Sequence, residues 1–222
     1  IGLLMPLNGH TKQTERFKHQ LNASVPLKKN LWQQTIACKI RNQAGLLKER
    51  GIPMRKMELW AKEVTSGDAL NHESRAAVYY WEKLFKLADF TRGQKELPPN
   101  NLLNYGYAIL RAITARALVS SGLLPTLGIF HHNKYNAYCL ADDIMEPYRP
   151  YVDLIVCHIM ETEDSYEELT IEIKKQLLSI ASIDVFIDGK NSPLMVAMSR
   201  TTHSLYECFE GTARKILYPV YV

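Results

Sequence analysis

Two stretches of this chain repeat apolar residues at helical spacing for five or more turns, and a glycine and a proline close each of them. In the first, Leu27, Leu31, Ile36, Ile40, Ala44 and Leu47 recur every three to five residues, and Gly51 and Pro53 end the run. In the second, Leu102, Tyr105, Ile109, Ile113 and Leu118 lie near one face of a helix expected over 102–121, stopped by Gly122 and Pro125. Glycine ends helices because it adopts the left-handed conformation freely, and proline cannot continue them. A helix with one apolar face must bury that face against another element. Two such helices commit the chain to a predominantly helical domain.

The rest of the pattern agrees. Arg16, Phe17 and Leu21 sit at helical spacing over 11–25, ending before Pro26. A short helix is expected over 57–64, broken at Ser66-Gly67-Asp68. Asn71 or Asp68 then caps a helix reaching about residue 87, with Ala76, Ala77, Tyr80, Leu84 and Leu87 on its core face. Further helices are expected over 151–160 and 169–180, with an exposed acidic loop over 161–168 between them. Residues 183–187, the turn 188–191 and residues 194–198 predict a β-hairpin, after which Ser199 caps a last helix to about residue 217. The expected fold class is mainly α with a small β-hairpin. Residues 11–222 are read as the helical domain. Residues 1–10, with the turn signal Asn8-Gly9, are read as the remnant of a preceding β segment. The first residue is Ile, so a longer natural protein is expected.

Composition removes several classes. No apolar run approaches the roughly 18 residues of a membrane span, and residues 1–9 lack the basic leader of a secreted protein. Cys38, Cys139, Cys157 and Cys208 are scattered, which suits reduced thiols in a cytoplasmic protein. The net charge of +4 hides an asymmetry: residues 1–56 carry a balance of +9 and residues 57–222 a balance of −5. A basic front half points to a polyanion such as a phosphate backbone, or to a solvated helix face.

Residues 128–153 hold the chemistry. His131 and His132 are adjacent, and Asp142, Asp143 and Glu146 follow. On a helix, Asp143 with Glu146 (i,i+3) and Asp142 with Glu146 (i,i+4) share a face. Like charges so placed repel, and a divalent cation reverses the sign. The same acids also suit a helix end before Pro147. Mixed histidine and carboxylate ligation fits Mg²⁺ or Mn²⁺ better than structural zinc. Glu73 begins a helix whose Ala76 and Ala77 allow close approach of a neighbour, but spacing alone gives no reason for Glu73 to meet His131.

Three ordered motifs supply that reason. Asn71-His72-Glu73-Ser74-Arg75-Ala76-Ala77, then Pro99-Asn100-Asn101-Leu102-Leu103-Asn104-Tyr105-Gly106-Tyr107, then the stretch from His131 to Glu146 closely resemble the CRISPR-associated integrase family Cas-one, the catalytic subunit of spacer acquisition. Leu7-Asn8-Gly9, Ser199-Arg200-Thr201-Thr202 and Ile216-Leu217-Tyr218-Pro219 resemble its domain start and tail. The run from Asp143 to Pro150 looks most like the branch that accompanies single-chain effector nucleases.

The resemblance implies a helical catalytic domain lacking most of the family's amino-terminal β-rich domain. It implies a metal, Mg²⁺ or Mn²⁺, held by Glu73, His131 and Glu146. His132 is the alternative ligand, and Asp142 and Asp143 are orienting residues or further ligands. It implies joining of the 3′-hydroxyl of a foreign DNA fragment, the prespacer, into the CRISPR repeat by transesterification, and DNA cutting when water is the nucleophile. The implied partners are double-stranded DNA, a second copy of the chain, and a second adaptation subunit, Cas-two, in a heterohexamer-like complex. Arg16, Lys28, Lys29, Lys39, Arg41, Arg75, Lys134 and Arg149 are the candidate DNA contacts, and Tyr105, Tyr107 and Tyr135 are candidates to stack on bases. Two alternatives stand beside this reading: a catalytically inactive helical DNA-binding or scaffolding protein, and a hydrolase with His131 or His132 as general base.

Overall fold

A computed structural model describes residues 12–85, 90–93 and 97–222. The expected β remnant over 1–10, and Leu87, lie outside these residues. In chain order the helices are α1 (Gln13–Leu21), α2 (Val25–Glu49), α3 (Arg55–Glu63), α4 (His72–Leu84), α5 (Asn100–Ser120), α6 (Cys139–Ile144), α7 (Arg149–Thr162), α8 (Ile171–Leu178) and α9 (Leu194–Glu210). The strands β1 (Asp184–Ile187) and β2 (Lys190–Pro193) pair antiparallel, with Asp184 opposite Pro193 and Ile187 opposite Lys190. The class is mainly α with one hairpin, as the periodicity predicts.

The two long helices organise everything else. α2 packs against α3, α4, α6 and α7, whereas α5 packs against α6, α7, α8 and α9. The segment α6–α7 therefore touches both long helices and forms the middle of the molecule. Where α5 crosses α7 the backbones come close: a Cβ on Gly106 would meet Val152 Cγ1 at 2.4 Å. Trp32, Ile36, Ile40, Leu47, Leu102, Leu110 and Tyr148 are among the fully buried side chains. A buried leucine- or phenylalanine-sized side chain contributes about 1.5–3 kcal/mol relative to an exposed one. Among the described residues no helix is long and apolar enough to cross a membrane. All four cysteines are buried and unpaired.

Three expectations are corrected. Pro26 does not end a helix but opens α2, because proline's missing N–H costs nothing in a first turn, and Ser24 caps that turn by accepting from Leu27 N. The second strand is Lys190–Pro193, reached by the two-residue turn Asp188-Gly189 with both residues at positive φ. The apolar run 194–198 belongs to α9, which starts at Leu194 after Pro193 and stops at Gly211 (φ +90°), not near residue 217. A short apolar run fits a strand and a buried helix equally well, and here the core-facing 3.6 period of Leu194, Ala197, Met198, Thr201 and Leu205 wins.

After α9 the chain returns along α2. Tyr218 OH meets Thr35 Oγ1 at 2.8 Å, Asn42 Nδ2 donates to Pro219 O at 3.0 Å, and Tyr221 N donates to Asn42 Oδ1 at 3.1 Å. Asn42 Nδ2 also donates to Pro147 O at 2.8 Å, which ties α2 to the turn carrying Glu146.

Candidate active site

Glu73 is placed by its own helix start. The Asp68 carboxylate accepts from His72 N and Glu73 N, both at 2.9 Å, and so satisfies two free N–H groups of α4. Asn71, the other candidate cap, takes the left-handed conformation and makes no cap bond. Glu146 follows α6 in a 3-10 turn, 4% exposed. The two carboxylates, 73 residues apart in sequence, meet at one point. Lys39 Nζ of α2 lies 2.7 Å from Glu73 Oε1 and 2.6 Å from Glu146 Oε2. Arg149 holds the other oxygen of Glu146 at 2.9 Å. Glu146 Oε2 is buried, and its contact with Lys39 is an ion pair of poor hydrogen-bond angle.

The charges reinforce one another. Burial works against the Glu146 anion, but Arg149 and Lys39 outweigh it and hold the carboxyl below its usual range. Burial likewise works against the Lys39 ammonium, and Glu146 and Glu73 outweigh it and raise its pKa. Glu146 and Lys39 keep their charges at neutral pH.

Asp143 builds the loop that carries His131. Its Oδ2 accepts from Ile129 N at 2.7 Å and Phe130 N at 2.9 Å, and its Oδ1 accepts from His131 N at 3.3 Å and meets His131 Nδ1 at 2.5 Å. The hydrogen bond from Asp143 raises the His131 pKa against partial burial, and the charges of Glu146 and Glu73 act in the same direction. Binding Nδ1 leaves Nε2 as the outward nitrogen, the arrangement by which a carboxylate orients a metal-ligating histidine. Gly128 is required here, since a Cβ would stand 2.3 Å from His131 O and 2.8 Å from Asp143 Oδ2. Trp32, two turns before Lys39 on α2, closes the back: it stacks on Phe130 at 4.2 Å and meets the His131 ring edge-on at 5.7 Å.

Behind Arg149 lies a buried acid that sequence reasoning missed. Asp153 accepts from Tyr80 OH at 2.7 Å and Tyr107 OH at 2.5 Å. The Arg149 guanidinium lies 4.8 Å from the centre of the Tyr107 ring, and Arg92 lies 5.2 Å from it. The available signal was an acid inside an otherwise apolar helical run, with tyrosines on two other helices. Tyr107 is thus a core residue and not a stacking platform.

The other predicted residues are placed as follows. His132 is exposed, as His131 is, but the contact to Asp143 belongs to His131. Asp142 turns toward α5, accepting from Asn136 Nδ2 at 2.7 Å and lying 3.4 Å from Arg111 Nε. Of the candidate DNA contacts, Lys29, Arg41, Arg75 and Lys134 are exposed and Lys28 is half-buried. Lys39 and Arg149 are committed to Glu146. Arg16 donates to Ser121 O at 3.0 Å and lies over Tyr206. For these three the partners are internal, because a cation on the inner face of a helix pairs with buried acceptors before it reaches water. Tyr105 is half-buried, and Tyr135 is 85% exposed with Lys134 over its ring.

Residues 1–182 match the family model described as CRISPR associated protein Cas1. The chain belongs to the Cas1 family. Among curated proteins it is 39% identical over 205 residues to a CRISPR-associated endonuclease Cas1 of Neisseria meningitidis serogroup C, covering 91% of this chain and 67% of that protein. Among solved structures it resembles a casposase bound to integration product, with TM-score 0.77 and 19% identity over 96% of this chain and 74% of the other. It also resembles a chain of a Cas6-RT-Cas1–Cas2 complex, with TM-score 0.74 and 19% identity over 96% of this chain and 27% of that one. At these identities the structural likenesses establish the Cas1 fold.

The donor set suits the metal that Cas1 membership implies. Two carboxylates already converge on one cationic nitrogen, one of their buried oxygens lacks a directed partner, and the nearby histidine has its inner nitrogen fixed. Among the described residues no three His, Cys, Asp or Glu side chains are already grouped as a metal cluster. The point between Glu73 and Glu146 is taken by the Lys39 ammonium.

Proposed function

We propose that this protein is a metal-dependent DNA endonuclease and integrase of CRISPR adaptation, joining the 3′-hydroxyl of a prespacer to the repeat by transesterification. One observation carries the reading: Glu73 and Glu146, distant in sequence, converge on a single cation, and the charges of both act on a histidine that Asp143 holds. The curated relative's name and the titles of the casposase and Cas1–Cas2 structures support the same class of activity.

In this reading Glu73, His131 and Glu146 hold a Mg²⁺ or Mn²⁺ ion. When bound, that ion polarises the phosphodiester and offsets charge on the attacking and leaving oxygens. The chain's own residues do the rest. Asp143 keeps His131 in one tautomer with Nε2 outward. Trp32 and Phe130 pack edge-on against the imidazole. Arg149 keeps Glu146 ionised. The exposed cations Lys29, Arg41, Arg75 and Lys134 offer sequence-independent, salt-sensitive phosphate contacts. Double-stranded DNA, a second copy of the chain and a Cas2 subunit are the partners, and the cytoplasm is the location.

The test is half-site integration of a labelled duplex into a repeat-bearing plasmid, with Cas2 and Mn²⁺. Product formation that is lost with EDTA, with Glu73→Ala and with Glu146→Ala supports the proposal. Joining that persists in EDTA favours a histidine general base. DNA binding without joining, unchanged by Glu73→Ala, favours a scaffold.

A further inference from the structure

Glu73 and Glu146 form a pair of carboxylates that approach each other inside the fold, and such a pair is unfavourable without a cation. The chain supplies one from α2. Lys39 Nζ stands within 2.7 Å of an oxygen of each acid, and its side chain is 10% exposed. Lys39 and Arg149 together match the two negative charges, so the cluster is neutral as it stands. A divalent ion entering between the same two carboxylates would lie against that ammonium.

We infer that Lys39 is the built-in counter-cation of this centre: its ammonium occupies the divalent-ion position in the metal-free protein and is displaced when the ion binds. The inference rests on the metal reading given above and goes beyond it, because it assigns Lys39 a role opposed to metal affinity. Three features single out Lys39 over Arg149. Its ammonium bridges both acids, whereas Arg149 touches Glu146 alone. Its other partner, Glu73, is the more open of the two acids, so one of its two contacts already borders solvent. A lysine is a point charge on a flexible four-carbon stem and can swing out, while the Arg149 fork is also held over the Tyr107 ring. The path out lies on the Glu73 side, which is 26% exposed against 5% for Glu146.

The consequence is a trade. Lys39 stabilises the metal-free fold by neutralising two acids, and it weakens metal binding because the ion must compete with it. Mn²⁺ binding to the whole chain is measured by titration calorimetry, and thermal unfolding is followed in EDTA and in excess Mn²⁺. Lys39→Met keeps the stem and removes the charge. It is expected to bind Mn²⁺ at least about tenfold more tightly than the unaltered protein. It should also melt lower in EDTA and recover most of that loss with Mn²⁺, since ligand binding stabilises the state that binds it. Equal or weaker Mn²⁺ binding by Lys39→Met overturns the inference. If Lys39→Met does not fold, Lys39→Arg serves instead: a bidentate guanidinium is harder to displace, so weaker Mn²⁺ binding is expected, and equal or tighter binding overturns the idea. Glu73→Gln separates the two levels. Binding abolished by Glu73→Gln but unmoved by Lys39→Met sinks the counter-cation alone. Binding unmoved by Glu73→Gln sinks the metal centre and the inference with it.

Discussion

Glu146 and Asp153 are buried carboxylates seven residues apart, on either side of the start of α7, and burial acts on both in the same direction. They are shifted in opposite directions. Glu146 touches two cations and is held below its usual range. Asp153 touches two phenol hydroxyls, and burial pushes it up to about 6 although those hydrogen bonds and the more distant Arg149 and Arg92 work the other way. Direct ion pairs at 2.6–2.9 Å overcome desolvation, and neutral donors do not. The site side of α7 therefore favours the carboxylate, and the core side makes the carboxylate easier to protonate. Arg149 joins them, bound to Glu146 and lying over Tyr107.

The comparison is broken most forcefully at Glu146. Glu146→Ala leaves Lys39 and Arg149 without their shared anion inside the fold. Removing one partner of a buried pair costs about 3–5 kcal/mol. Urea unfolding should show a loss of that size together with abolished DNA joining. A loss under about 1 kcal/mol would mean that solvent reaches Glu146 and that the pair behaves as a surface one.

Asp153 gives the next effect, visible as a pH dependence. Its folded value, about 6, lies above its ordinary 3.8. A raised acid contributes stability that is fully present below the unfolded value and is lost as pH rises through the folded one. The span of about two units corresponds to roughly 3 kcal/mol between pH 4 and pH 7. Asp153→Asn cannot titrate, so its stability relative to the unaltered protein should improve by up to that amount on going from pH 4 to pH 7. Urea midpoints at pH 4, 5.5 and 7 measure it. Parallel curves for the two proteins would show that Asp153 keeps one protonation state throughout. Tyr107→Phe is a milder probe of the same knot. It removes one hydrogen bond, costs about 1–2 kcal/mol and moves the Asp153 transition to higher pH.

How far the sequence discloses this arrangement depends on the kind of contact. Periodicity and Gly-Pro stops locate α2 and α5 because those signals are local and repeat over many turns. The hairpin's second strand is misread because residues 194–198 are equally good as strand or buried helix, and only packing decides. His131, Asp143 and Glu146 are visible as a cluster within one stretch. Their division of labour is not, because it depends on which oxygens of Asp143 meet the backbone of 129–131. Lys39 reads as one more basic residue on a basic helix. Its role is set by two acids 34 and 107 positions away, and no local rule reaches that far. Asp153 is hidden in the same way by partners on α4 and α5.

Asp142 supplies the smallest expected effect and the sharpest check on the Glu146 assignment. In sequence it is as plausible a ligand as Asp143, being one turn from Glu146. In the fold it faces Arg111 at 3.4 Å and Asn136, away from Lys39 and Glu73, and its side chain is 20% exposed beside an Arg111 that is 42% exposed. A partly solvated pair of this kind contributes about 0.2–1 kcal/mol. Asp142→Asn keeps the side chain's shape and its hydrogen-bonding capacity. Unfolding should shift by no more than that amount, and joining should stay within about twofold, since roughly 0.4 kcal/mol separates the two rates. A loss of joining as deep as that of Glu146→Ala, with the fold intact, would move the third ligand from Glu146 to Asp142. The charge-keeping side of α7 would then have to be redrawn around α6.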